Sequence, residues 1–118
     1  MAFGDHATTY GGNPVVCAGA VSVVERLTDD LMAEVTAKGE YLIKEISKFP
    51  MVENVDGMGL MLGIRLKDGK TARCVAEECS KNGLLVLTAH EKVRLLPPLT
   101  ITKEEIDEGL TILKGVLQ

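Results

Sequence analysis

The sequence predicts an α+β domain in which helices pack on one face of a mostly antiparallel sheet. Three observations lead there. Two stretches of helical apolar period open the chain, the period turns strand-like near residue 52, and short strands then alternate with two further helical stretches. No internal repeat appears, and no linker is long enough to divide the chain. Its 118 residues suit one modest core.

The elements follow in order. Asn13-Pro14 opens the first helix, with asparagine as N-cap and proline at the first helical position. From Val15 to Leu27 that helix is apolar nearly all round, with Val16, Ala20, Val23, Val24 and Leu27 on one face, so cover is expected on several sides. Thr28, Asp29 and Asp30 supply new capping groups. The second helix sets Leu31, Val35, Leu42, Ile46 and Phe49 inward and Glu34, Lys38, Glu45 and Lys48 outward, until Pro50 stops it. A short strand, Val52 to Val55, leads through Gly57-Met58-Gly59 to a second, Leu60 to Leu66, and Asp68-Gly69-Lys70 makes a turn. Thr71 to Asn82 is an amphipathic helix with Ala72, Val75, Ala76 and Cys79 inward and Gly83 just past its end. Leu84 to Thr88 and Lys92 to Leu96 read as strands, and Pro97-Pro98 keeps the latter from continuing into a sheet centre. Thr102 and Glu105 form a capping box before the last helix, with Ile106, Leu110, Leu113 and Leu117 inward.

Composition narrows the function. The apolar fraction of 46% and charged fraction of 25% describe an ordered globular chain. With aromatics at 3% the core must be built of Val, Leu, Ile, Met and Ala. A net charge of −4 with scattered Lys and Arg excludes the basic stripe of a nucleic-acid binder. No apolar run approaches the ~18 residues of a membrane span. Cys17, Cys74 and Cys79 form no CxxC pair, and His6 and His90 stand apart from them, so no metal site is expected. Buried, reduced thiols in a cytoplasmic protein are the expectation.

Two places offer chemistry. Thr8 and Thr9 bring hydroxyls, Gly11 and Gly12 let backbone N–H groups approach a ligand, and the helix at Pro14 turns its positive end the same way, a combination suited to phosphate. A plain helix-leading loop has the same residue types. Arg94 lies in Lys92-Val93-Arg94-Leu95-Leu96, where alternation sets it opposite Val93 and Leu95 and able to pair with a carboxylate. An exposed charge on an edge strand is the alternative. Gly57 to Gly63 imitates a dinucleotide fingerprint, but Leu62 stands where the third glycine belongs and the segment joins two strands, so a hairpin is preferred. Asp5 and His6 have no neighbouring nucleophile, and a locally bonded loop histidine is expected. None of the nine lysines has a buried setting.

Taken together, "GDHATTYGGNPVVCAGA", "VDGMGLMLGIRL", "GLLVLTA" and "VRLLPPLTITKEEIDEGL" resemble the C-terminal part of the class III aminotransferases. These enzymes depend on pyridoxal phosphate (PLP) and have the aspartate-aminotransferase type of fold, fold type I. The resemblance implies that residues 1–13 form an interface loop belonging to the large domain. Residues 14–118 would then be the C-terminal small domain with its leading helix. It implies that Thr9 reaches the phosphate of the partner subunit's PLP in a homodimer, that Thr8 lies near the substrate, and that Arg94 holds a substrate carboxylate. Ala7 departs from the family's usual glycine. It also implies that the Schiff-base lysine, the acidic partner of the pyridine nitrogen and the ring-stacking aromatic lie upstream. The chain would thus contain no catalytic residue and would not transaminate alone. Its partners would be amino-acid and 2-oxo-acid substrates and the large domain, with no nucleic acid or membrane. A stand-alone, non-catalytic α+β binding module is the alternative.

Overall fold

The computed structural model describes residues 8–118. Its elements run α1 (Pro14–Val24), α2 (Asp29–Ile46), β1 (Val52–Met58), β2 (Met61–Leu66), α3 (Ala72–Lys81), β3 (Leu87–Ala89), β4 (Lys92–Leu95) and α4 (Lys103–Val116). The chain divides between Met32 and Ala33 into two compact units.

In the first unit, Asn13 caps α1 as expected, its Oδ1 accepting from Val15 N and Val16 N at 3.0 and 3.3 Å. The helix ends at Val24 rather than Leu27, because Arg26 N and Leu27 N turn to the carbonyls of Val23 and Val24, three residues back. No residue of α1 is buried.

The second unit holds a four-stranded sheet in the order β1-β2-β4-β3, every neighbouring pair antiparallel. Register places Val55, Ile64 and Val93 on one face, with Leu62 beside Ile64. These four are buried, as are Leu42 and Ile46 of α2, Val75 and Cys79 of α3, and Ile106 and Leu113 of α4. One face of the sheet and three helices therefore share one core, in agreement with the α+β expectation. The opposite face, which includes Asp56, Gly63 and Arg94, has no buried residue.

Several boundaries differ from the sequence reading. β1 continues to Met58 because Gly57 pairs with Leu62 and Met58 with Met61, tightening the hairpin around Gly59-Leu60. The strand expected at Leu84 begins at Leu87. Gly83, at φ +88°, and Leu84 N, bonded to Cys79 O at 2.9 Å, are still closing the end of α3. β4 is an inner strand, contrary to the expectation drawn from Pro97-Pro98. The prolines follow its last paired residue, so no ladder hydrogen bond is lost. Among the cysteines only Cys79 is buried, where burial raises its thiol pKa, whereas Cys17 and Cys74 are exposed. Ala76 is half-buried on the outer shoulder of α3. No helix of the described residues is long and apolar enough to cross a membrane.

α2 reaches the β1–β2 hairpin through two glycines. A Cβ at Gly39 would lie 2.1 Å from the carbonyl oxygen of Gly59, an impossible contact with backbone on the far side. A Cβ at Gly115 of α4 would meet nothing within 4 Å. Ala is ordinarily favoured over Gly inside a helix by about 1 kcal/mol. The two sites should nevertheless respond in opposite directions. Gly39→Ala is expected to destabilise by about 1–3 kcal/mol or more through overpacking, while Gly115→Ala is neutral or mildly stabilising. Thermal denaturation of both variants checks this; equal melting temperatures would refute the close approach.

Candidate functional site

The loop ahead of α1 is a tight turn. Gly11 N donates to Thr8 O at 3.4 Å, Asn13 N to Tyr10 O at 3.1 Å, and Tyr10 N to Thr8 Oγ1 at 3.4 Å. Thr8, Thr9 and Tyr10 are exposed, and the Thr9 hydroxyl is engaged by none of the described residues. One part of the phosphate expectation changes. Pro14 has no N–H, Val15 N and Val16 N are taken by the Asn13 side chain, and Cys17 N by Asn13 O. The helix end thus has no free amide to offer at those positions, and an anion would be held by the Thr9 hydroxyl rather than by the N-terminus of α1. Asp5 and His6 lie outside the described residues.

Arg94 belongs to the second unit. It pairs with Gly63 of β2 on one side and Leu87 of β3 on the other, which rules out the edge-strand alternative. The residue is half-buried, and its Nε is a buried side-chain donor with no hydrogen-bond partner among the described residues. Such a group costs free energy unless something accepts from it, and a guanidinium is best satisfied by a carboxylate. Arg94 also borders a cavity of about 350 Å³ whose walls include Leu84, Leu87, Leu96, Ile101 and Leu110. The carboxylate in that wall, Glu105, is already committed through Oε2 to Thr102 N in the capping box, which is present as expected.

Sequence reasoning missed the neighbouring charges. Lys92, two residues before Arg94, reaches across β2 to the Asp56 carboxylate of β1, with Nζ 2.8 and 2.7 Å from the two oxygens. That contact and the Asn54 amide hold the Asp56 carboxyl below the ordinary aspartate range, the Lys92 bond contributing most. A second cluster joins α2 to α4, where Tyr41 Oη and Lys103 Nζ each donate to Asp107 at 2.6 Å. No sequence pattern announces pairs 36 and 66 residues apart. Among the described residues no group of three His, Cys, Asp or Glu could hold a metal ion.

A family model described as "Aminotransferase class-III" matches residues 1–117. The chain belongs to the class-III aminotransferase family. Acetylornithine aminotransferase of Haemophilus ducreyi is 41% identical to it over 99% of this chain and 30% of its own length. Ornithine aminotransferase of Staphylococcus carnosus is 40% identical over 96% of this chain and 29% of its own. Among solved structures, acetylornithine aminotransferase from Elizabethkingia anophelis superposes with a TM-score of 0.83 at 30% identity, covering 99% of this chain and 33% of that one. This class-III aminotransferase chain therefore spans about a third of the relatives it matches, and the fold is that of their corresponding segment.

Asp56, Glu78 and Asp107 are all held below their ordinary pKa, chiefly by bonds from Lys92, Lys70 and Lys103. Because each pKa is lower in the folded than in the unfolded chain, its contribution is fully present above the unfolded value, near about 4. The contribution is lost as pH falls through the folded value. The melting temperature is therefore expected to hold down to about pH 5 and to drop below about pH 4. Asp107→Asn should shrink that acid step; a step of unchanged size in the variant would show that Asp107 does not contribute to it.

Proposed function

We propose that this chain is the C-terminal segment of an acetylornithine aminotransferase. That enzyme passes an amino group from N-acetylornithine to 2-oxoglutarate, as a cytoplasmic homodimer. The observation that carries the reading is the 41% identity over 99% of this chain to an enzyme of that name. Ornithine aminotransferase is the second reading, on 40% identity over 96% of the chain. On this proposal residues 1–13 are a loop of the large domain at the dimer interface, and residues 14–118 are the small domain with its leading helix.

The residues present fit PLP in one respect. The exposed, unengaged hydroxyl of Thr9 can donate to a phosphate oxygen, and the left-handed Gly12 at φ +75° leaves the loop open beside it. Class-III aminotransferases are PLP-dependent, and when bound the cofactor supplies the electron sink that lets an amino group be exchanged for a keto group. Everything this chain adds is binding and orientation. Thr9 anchors the phosphate, Thr8 lies at the substrate side of the loop, and Arg94 pairs with a substrate carboxylate. The buried, unpartnered Nε supports the role of Arg94: it is a donor held ready in an inner strand, where the guanidinium fork needs little reordering to grip two oxygens. On this proposal the Schiff-base lysine lies outside this segment and the chain does not transaminate alone.

In a full-length enzyme carrying this segment, kcat/KM is expected to be higher for N-acetylornithine than for ornithine; the reverse order selects the second reading. Hydrogen bonds to charged groups are worth about 1.5–3 kcal/mol, or roughly 10-fold to 150-fold. Thr9→Ala should weaken PLP retention on that scale, measured as cofactor lost on dialysis. Arg94→Ala should raise KM for 2-oxoglutarate similarly, with Arg94→Lys recovering only part. Unchanged retention or unchanged KM would remove the corresponding residue from the site.

A further inference from the structure

The face of the sheet opposite the core carries a three-strand bridge. Lys92 on β4 and Asp56 on β1 are not on adjacent strands; β2 lies between them. The span works because the residue in the gap is Gly63, paired with Asp56 on one side and Arg94 on the other. A Cβ at Gly63 would sit 3.1 Å from Cδ of Lys92 and 3.5 Å from Oδ1 of Asp56. The lysine stem therefore lies on the glycine, in the space a side chain would fill. Only 28% of the Lys92 side chain is exposed, against 49% for Asp56, so the stem is laid down on the sheet rather than extended into solvent.

We propose that Lys92 is a positioning residue for Arg94, fastened to Asp56 across Gly63 so that the Arg94 guanidinium is confined in the conformation that meets a carboxylate. The inference rests on the reading of Arg94 as a carboxylate-binding group. Two physical consequences of the bridge carry it. Lys92 and Arg94 are two apart on one strand and share its face, so a stem fixed over Gly63 fills one flank of the Arg94 side chain and limits its rotamers. The bidentate bond to Asp56 also saturates the lysine charge, so it does not compete with Arg94 for an incoming anion. Gly63 is then required for its lack of a side chain.

Two measurements test this separately from the carboxylate reading. In the 118-residue chain, the Arg94 Nε–Hε resonance, assigned by its absence in Arg94→Lys, is expected to shift or broaden in Lys92→Met and in Gly63→Val. It should return in Lys92→Arg, which can still reach Asp56. If Lys92→Met does not fold, Asp56→Ala removes the acceptor of the same bond and is read the same way. In the full-length enzyme, Lys92→Met should raise KM for 2-oxoglutarate about threefold or more at unchanged kcat, the scale of coupling between neighbouring residues, with Lys92→Arg restoring it. An Arg94 resonance that ignores Lys92→Met overturns the proposal, as does an unchanged KM in Lys92→Met when Arg94→Ala raises it. An unchanged KM in Arg94→Ala itself overturns the carboxylate reading, and the positioning role falls with it.

Discussion

The antiparallel pairing of β2 with β4 is the constraint on which the rest of the second unit depends. The two strands are not consecutive; α3 and β3 intervene in sequence, so the pairing must be secured by side chains. Ile64 opposite Val93 secures it, both fully buried, with Leu62 opposite Leu95. A slip of one residue would turn this set to the outside and put Arg94 into the core, at the cost of an ionised group without a partner. Burial of the valine–isoleucine set thus fixes, on the opposite face, which residues stand beside Gly63. The chemistry of one face is set by the packing of the other.

Much of this was legible in the sequence, for identifiable reasons. Capping residues act locally, so Asn13 and Thr102 are found where their types and spacing put them, and the capping box at Thr102 and Glu105 closes on both sides, whereas Thr71, read as the first residue of its helix, is the N-cap. Long amphipathic helices declare their buried stripe, as Val35, Leu42 and Ile46 do. Strand order is a different matter. Nothing within Lys92 to Leu96 says that two strands flank it, and Pro97-Pro98 argued for an edge that the structure does not have. Short strands fail similarly at Leu84 to Val86, where Leu84 is still bonded to the end of α3 and pairing begins only at Leu87.

The candidate site divides along the same line. The Thr8-Thr9 loop could be singled out because hydroxyls, glycines and a helix start are local features, and the family match gave them context. What the sequence misjudged was the supply of amides: Asn13, chosen as the best N-cap, satisfies the donors that an anion would have used. A good cap and a helix-end anion site compete for the same N–H groups. Arg94 was legible as a residue type and illegible in its setting, because an orphaned Nε and a lysine fastened 36 residues away exist only once the strands are ordered.

α1 has eleven residues, rich in valine, with an N-cap as its strongest local support and no residue buried. Helices of this length are marginal by propensity alone, and β-branched residues lower that propensity further. Its valines and its hydrogen bonds are therefore linked thermodynamically. A surface that covers Val15, Val16 and Val23 also shifts the helix–coil equilibrium, and part of the free energy of that contact goes into ordering the backbone. Docking of this helix and its folding are, to that extent, one event, and the affinity of any such contact is lower than its apolar area alone would give.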